Sequence, residues 1–269
     1  MIRIMTLDAG AQAGESLAGL CARIEPFRQN GIDLLCCQSI PTPFDDRDTI
    51  SHMLSDTLGL TYSNFAAGGL RARSLGSGKH VGKGLALCTG NGIWVLNSGS
   101  FAIGNADNEE IVQFALIRKN GISVLTLNLH LADSVTTQES QLRELFSHAL
   151  LKESYGAVVL CADKAAVLSG KRLQGILARS LYHCQYALSC PDEGGLLCLL
   201  TVRNGAPASV LVHHPDPAPF ADAQGSAVLP GLALELEIQR IASDKRNRFC
   251  FPLSFREQWL GYKEHRNFA

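Results

Sequence analysis

Two short apolar runs that end in polar residues constrain this chain most. They are Ile122-Ser-Val-Leu-Thr-Leu-Asn128-Leu-His130-Leu131 and Val158-Val-Leu-Cys-Ala-Asp163. Each has the length of a buried strand and closes on side chains able to do chemistry. Strand ends are where α/β proteins assemble sites. Asn128, His130 and Asp163 are therefore the first candidates for function.

The surrounding pattern alternates strands and helices. Ile2–Leu7 reads as a strand, and Ser16–Gln29 as a helix carrying Leu17, Leu20, Ile24 and Phe27 on one face. Ile32–Gln38 is a fully apolar strand, and Thr49–Leu58 a second helix. The segment Phe65–Lys83, rich in Gly, Ser, Arg and Lys, reads as a surface loop. Strands are expected at Leu85–Thr89, Ile93–Asn97, Ile111–Arg118 and Ile122–Leu129, with Asn120-Gly121 as a tight hairpin turn between the last two. Thr136–Lys152 is the clearest helix, with Thr136 and Glu139 at capping-box spacing. A strand at Val158–Cys161, a short helix at Leu173–Ser180, and strands at Gly195–Val202, Ser209–His213 and Leu232–Ile241 follow. Some neighbouring strands run as hairpins and others are separated by helices. The expected architecture is a single domain of two mixed β-sheets packed face to face with helices outside, a four-layer α/β sandwich.

Composition supports a packed core. The chain is 46% hydrophobic and 18% charged, with a net charge of −1. That balance provides no global field for nucleic acid, so such a ligand would need a local basic patch. No apolar run reaches the roughly 20 residues of a membrane helix, and the first residues lack a secretory signal pattern. A cytoplasmic protein without a membrane partner is expected. The nine cysteines form no Cys-x-x-Cys pair, and most lie in apolar runs. They read as buried reduced thiols rather than a zinc site.

The order of motifs resembles the endonuclease/exonuclease/phosphatase superfamily, the DNase I-like metal-dependent phosphodiesterases. That family opens with a strand ending in Asn, where this chain has Met5-Thr-Leu-Asp8. A strand ending in Gln-Glu follows, and here Gln38 precedes Ser39. Gly84-Leu-Ala-Leu-Cys88 matches its Gly-x-Ala-x-Leu strand with Cys88 at the last position, and Asn128-Leu-His130-Leu131 matches its Asn-x-His-Leu strand end. Gln141-Leu142 falls on the helix that follows. The family's Gly-Asp-Phe-Asn is represented by Ala162-Asp163-Lys164-Ala165. Its closing Ser-Asp-His falls on Leu229-Pro230-Gly231. The resemblance covers residues 1–241 and implies a DNase I-like domain there. Residues 242–269 form an aromatic and basic tail, packed on the domain or on a partner.

The resemblance implies a catalytic set that is only partly present. Phosphodiester hydrolysis needs a polarised water, a neutralised phosphate and help for the leaving oxygen. In the family a Glu and an Asn or Asp hold Mg²⁺ or Mn²⁺. Here Asp8 and Gln38 are the remaining weak candidates for metal, and His130, Asp163 and Asn128 for catalysis. The metal Glu, the Asn of Asp-x-Asn and the final Asp-His pair are missing. General acid–base groups contribute about 10²–10⁴-fold each. The expectation is a degenerate member with lost or strongly reduced phosphoesterase activity and a binding or regulatory role, its Mg²⁺ or Mn²⁺ weakly bound or absent. One alternative is a divergent active phosphoesterase using Asp8, His130 and Asp163. Another is a protein-interaction module using the aromatic tail. Arg71, Arg73, Lys79 and Lys83 form a local basic loop through which a phosphate-containing ligand or nucleic acid is the expected partner.

Overall fold

The computed structural model describes residues 2–9, 16–43, 47–67, 81–105, 109–153, 155–163, 170–189, 196–202, 208–213 and 231–240. Twelve strands form two six-stranded sheets among these residues. The first sheet holds β1 (Ile2–Asp8), β2 (Leu34–Pro43), β3 (Tyr62–Ala67), β4 (Val81–Thr89), β11 (Ala208–His213) and β12 (Gly231–Arg240) in the order β11-β12-β1-β2-β4-β3. The second holds β5 (Trp94–Ile103), β6 (Glu110–Lys119), β7 (Ile122–Leu129), β8 (Ala157–Ala162), β9 (Tyr182–Ser189) and β10 (Leu196–Val202) in the order β5-β6-β7-β8-β10-β9. Each sheet contains one parallel pair, β1 with β2 and β7 with β8, and the other pairings are antiparallel. Both sheets are mixed, as the alternation of hairpins and helices implies.

Period-2 alternation sends every second side chain of a strand to the opposite face. Ile2, Ile4, Leu34, Cys36 and Leu87 of the first sheet meet Ala115, Ile117, Val124, Val159 and Cys161 of the second in an apolar inter-sheet core. The intervening residues face outward. Met5, Leu7, Leu35 and Cys37 pack against helices α1 (Leu17–Ile24) and α2 (Arg47–Leu58). Leu125, Leu127, Leu129, Val158 and Leu160 pack against α3 (Val135–Ser147) and α4 (Gly170–Leu177). Helix, sheet, sheet, helix is the four-layer sandwich.

Local chemistry accounts for several boundaries. Pro26 follows α1, and Glu25–Asn30 tightens to a 3₁₀ turn that ends at Gly31 with φ 62. The helix expected over Ser16–Gln29 is therefore two pieces, with Ser16 capping Gly19 N–H at 3.1 Å. The expected Thr136 capping box is not the start of α3. Ser134 is the cap and accepts from Thr137 N–H. The helix also stops at His148, after which Ala149–Lys152 forms a separate 3₁₀ turn. Asn120 and Gly121 have φ 52 and 78, the paired left-handed conformation of a type I′ hairpin turn. The expected loop Phe65–Lys83 is strand at both of its described ends, Phe65–Ala67 in β3 and Val81–Lys83 in β4, and neither stretch shows the clean alternation of a strand. Phe65 of β3 lies over Gly84 of β4, where any Cβ would overlap the aromatic ring. The strand β9 likewise lacks the apolar pattern that reveals β8 and β10.

None of the seven described cysteines is in a disulfide, and all but Cys184 are buried. Burial pushes the thiols of Cys36 and Cys37 well above the ordinary range and that of Cys88 up to about 12, which makes them inert packing groups.

His148 gives the fold a pH signature. Its ring stacks on Phe101 with centroids 3.9 Å apart and planes 6° from parallel. Its Nδ1 accepts from Leu150 N–H at 3.3 Å. Burial lowers its pKa below the ordinary 6.5, Lys152 adds to that effect, and Glu144 opposes it. The unfolded chain therefore takes up a proton that the folded chain resists as pH falls below 6.5. Stability is expected to be level above this value and to decline below it. Thermal melts of wild type and His148→Gln across that range should diverge on the acid side, wild type losing more.

Candidate functional site

Along the inner face, apolar residues give way to polar ones at one end of the sandwich. In β1 the inward series is Ile2, Ile4, Thr6, Asp8, and in β2 it is Leu34, Cys36, Gln38. In β7 it runs Val124, Thr126, Asn128 and on to His130, and in β8 Ala157, Val159, Cys161 and on to Asp163. These are the carboxyl ends of the two parallel pairs. The crevice outside such ends is where open α/β sheets place their ligands.

The deeper part is a hydrogen-bonded amide network joining the sheets. Gln38 Nε2 donates to Thr6 Oγ1 at 2.8 Å and to Asn128 Oδ1 at 2.7 Å. Asn128 Nδ2 lies within bonding distance of Cys37 O (3.2 Å), Ala86 O (3.0 Å) and Gln113 Oε1 (3.0 Å). Gln113 Nε2 continues to Asn64 Oδ1 at 3.0 Å. Gln38, Asn128 and Gln113 are all buried. Asn128 thus ties β2 and β4 of the first sheet to β7 and β6 of the second, and Gln38 directs its nitrogen, not an oxygen, toward the neighbouring oxygens.

Above this network lies the second cluster. The β2–β4 pairing shifts register between Cys37 and Ile40, and Ser39 within that bulge has φ 53. A bulge re-aims a side chain, and a non-glycine residue in the left-handed region is held there by its surroundings. Ser39 Oγ donates to Asp163 Oδ2 and lies 3.1 Å from His130 Nδ1. His130 Nδ1 also bonds the same Asp163 oxygen. The other oxygen, Oδ1, accepts from Leu131 N–H at 3.3 Å. Asp163 is 0% exposed, and the His130 side chain keeps 12% exposure.

Ser, His and Asp in contact suggest a nucleophilic triad, but the order is wrong for one. A triad places serine and carboxylate on opposite ring nitrogens. Here both lie on the Nδ1 side, and the serine proton goes to the carboxylate. Ser39 is therefore not activated for attack.

The metal expected from the resemblance meets a poor donor set. Ser39, where the resemblance expects the metal Glu, brings a neutral hydroxyl already donating to Asp163. The Asp163 carboxylate accepts from Ser39, His130 and Leu131, and a cation would have to displace those donors. Asp8 ends β1 directly beside Gln38 in the parallel register. Its charge and that of Asp163 both act on Cys37, behind the larger effects of burial and Cys88. Among the described residues no cluster of three His, Cys, Asp or Glu side chains is arranged to hold a metal ion. A hard divalent cation needs several well-placed oxygens, and these residues do not fit it.

Other expectations fall elsewhere. Arg71, Arg73 and Lys79 lie outside the described residues, as do Leu229, Pro230 and the tail from 241 onward. Lys83 is described only as backbone in β4. Among the described residues no helix is long and apolar enough to cross a membrane. Ser39, Gln113, Thr6 and Asn64 were not singled out from sequence. The inward alternation of each strand carried the signal for Thr6 and Gln113.

No family model matches the sequence, and no curated protein matches it. Solved structures do. An endonuclease/exonuclease/phosphatase family protein from Leptotrichia buccalis aligns with a TM-score of 0.60 over 88% of this chain and 100% of its own, at 11% identity. The fold is that of the endonuclease/exonuclease/phosphatase proteins. A mannosyl-6-phosphatase from Bacteroides thetaiotaomicron aligns at 0.57 over 89% of this chain and 100% of its own, with 10% identity. The human Nocturnin catalytic domain, solved with a bound sulfate anion, aligns at 0.56 over 88% and 93%, with 17% identity. At these identities the likeness is one of fold. The endonuclease/exonuclease/phosphatase fold places the carboxyl ends of β1, β2, β7 and β8 together, which brings Ser39, His130 and Asp163 into one cluster.

Proposed function

We propose that this protein is a degenerate relative of the endonuclease/exonuclease/phosphatase enzymes, with its metal-dependent phosphoesterase activity lost or strongly reduced and its site kept for binding. One observation carries the reading. Ser39, where the resemblance expects the metal carboxylate, closes a hydrogen-bonded cluster with Asp163 and His130. Proteins of this fold include the mannosyl-6-phosphatase and a zebrafish TDP2 bound to a single-strand DNA product. A phosphate-bearing ligand therefore suits the scaffold, and a cytoplasmic setting suits its free cysteines.

The His130–Asp163 contact favours a second reading, a divergent active phosphoesterase that also uses Asp8. One assay separates the two. Pure protein with Mg²⁺ or Mn²⁺ should leave p-nitrophenyl phosphate and bis-p-nitrophenyl phosphate uncleaved above background. Robust turnover that disappears in His130→Gln would refute the degenerate reading.

A further inference from the structure

We infer that the aromatic segment after β12, residues 241–269, docks on the outer face of the β5–β6 edge around Trp94, at the end of the sandwich opposite the candidate site. Trp94 is 74% exposed, the most exposed large apolar side chain among the described residues. Alternation sets its direction. Val95 and its partner Ile117 turn toward the inter-sheet core, so Trp94 and the Arg118 opposite it turn outward. Leu96, Phe101 and Phe114 lie on the same outer face and are only partly buried against the helix-side core. β5 is an edge strand, with β6 as its one partner among the described residues. Arg118 Nε is buried and makes no hydrogen bond among the described residues. An exposed tryptophan beside three partly covered apolar side chains and an orphaned donor is a surface that a further stretch of chain completes, its rings on the apolar groups and a carbonyl on Arg118.

Position, reach and charge select the occupant. β12 runs antiparallel to β1 and ends at Arg240, beyond the Leu236 that pairs with Ile2. The start of β1 shares its end of the sandwich with Leu34 and Thr89, and residues 90–93 carry the chain from Thr89 straight to Trp94. His130 and Asp163 lie at the other end, past the carboxyl ends of β7 and β8. β3 faces β5, with Tyr62 OH and Ser98 Oγ 2.7 Å apart, and β12 is four strand positions from β3. Four spacings of about 4.8 Å and one inter-sheet gap of about 10 Å make a span of roughly 22 Å. Extended chain covers about 3.3 Å per residue, so Phe249, the ninth residue after Arg240, reaches Trp94, with Phe251 and Phe255 following. Residues 241–269 carry six Lys and Arg against three Asp and Glu, so with a whole-chain charge of −1 residues 1–240 hold −4. A basic segment is drawn to an acidic body, and its aromatic rings bury on apolar surface once there.

The chain has two tryptophans, so Trp259→Phe leaves Trp94 as the sole tryptophan reporter in the full-length protein. Acrylamide should quench Trp94 in that variant several-fold less than it quenches free N-acetyltryptophanamide, at every protein concentration. Adding Phe249→Ser, Phe251→Ser and Phe255→Ser should shift the docking equilibrium toward release by about tenfold or more and bring quenching close to the free value. A second variant reads the contact from the other side. Trp94→Ser in the otherwise native chain should speed tryptic cleavage at Lys245, Arg246 and Arg248 by about tenfold, while the sandwich itself stays resistant. Free-like quenching of Trp94 in Trp259→Phe, quenching unaltered by the three Phe substitutions, or unchanged cleavage in Trp94→Ser would overturn the inference. So would shielding that appears only as protein concentration rises, together with a doubled mass in sedimentation, because the occupant is then a second copy of the chain.

Discussion

Asp163→Ala is expected to destabilise the protein by about 3–5 kcal/mol, the largest effect of any single substitution at the site. The side chain is buried and accepts from Ser39, His130 and Leu131 N–H. Truncation leaves these donors facing an empty space from which water is largely excluded, and an orphaned buried donor costs about 1–3 kcal/mol. A change of 1 kcal/mol moves the melting temperature by roughly 2–4 °C in a domain of about this size, so the expected drop is on the order of 10 °C. Ser39→Ala should cost far less, because it removes one donor and leaves the other two. The coupling between Ser39 and Asp163 is measurable by a double-mutant cycle. A coupling energy of about 0.5–3 kcal/mol would show that the two act as one unit. A drop below about 1 kcal/mol for Asp163→Ala would show that the cluster does not support the fold.

Asn128→Leu should be nearly as severe, at about 3 kcal/mol. Leucine keeps the branching and heavy-atom count, and its bulkier methyl groups add some overpacking. The larger loss is polar. Gln38 loses its 2.7 Å acceptor, and Cys37 O, Ala86 O and Gln113 Oε1 lose the Asn128 amide. Urea denaturation is the measurement, since the midpoint should fall while the slope stays constant. A midpoint close to wild type would show that the network relaxes and that Asn128 is dispensable to the fold. Because Asn128 is fully buried between the sheets, its effect on any ligand should follow its effect on stability.

The inner face explains how much of this was legible in the sequence. The runs Val124-Leu-Thr126-Leu-Asn128-Leu-His130 and Val159-Leu-Cys161-Ala-Asp163 show the alternation and its turn from apolar to polar without any structure. Together with the helix between them, they point to the sandwich and to two of the cluster's three residues, His130 and Asp163. Ser39 was legible only as a missing Glu. Its role depends on a bulge and a left-handed φ, which arise from pairing with β4 and leave no local signature in Gln38-Ser39-Ile40. Asn64 and Gln113 meet across the two sheets, from strands 49 residues apart in sequence. Such contacts follow from sheet packing, which the chain's local pattern does not encode. The helix boundaries differ for a simpler reason. Ser134 competes with Thr136 for the same cap, and the backbone of His148 turns extended at the end of α3 while its ring stacks on Phe101.

The central claim is that the Ser39 hydroxyl has taken the place of a cation as the partner of Asp163. Calorimetric titration of the apo protein with Mn²⁺, followed by the paramagnetic broadening of the His130 and Asp163 NMR signals, tests it most directly. The account predicts no heat of binding at this site and no selective broadening. Saturable binding with broadening confined to Asp8, His130 and Asp163 would contradict it.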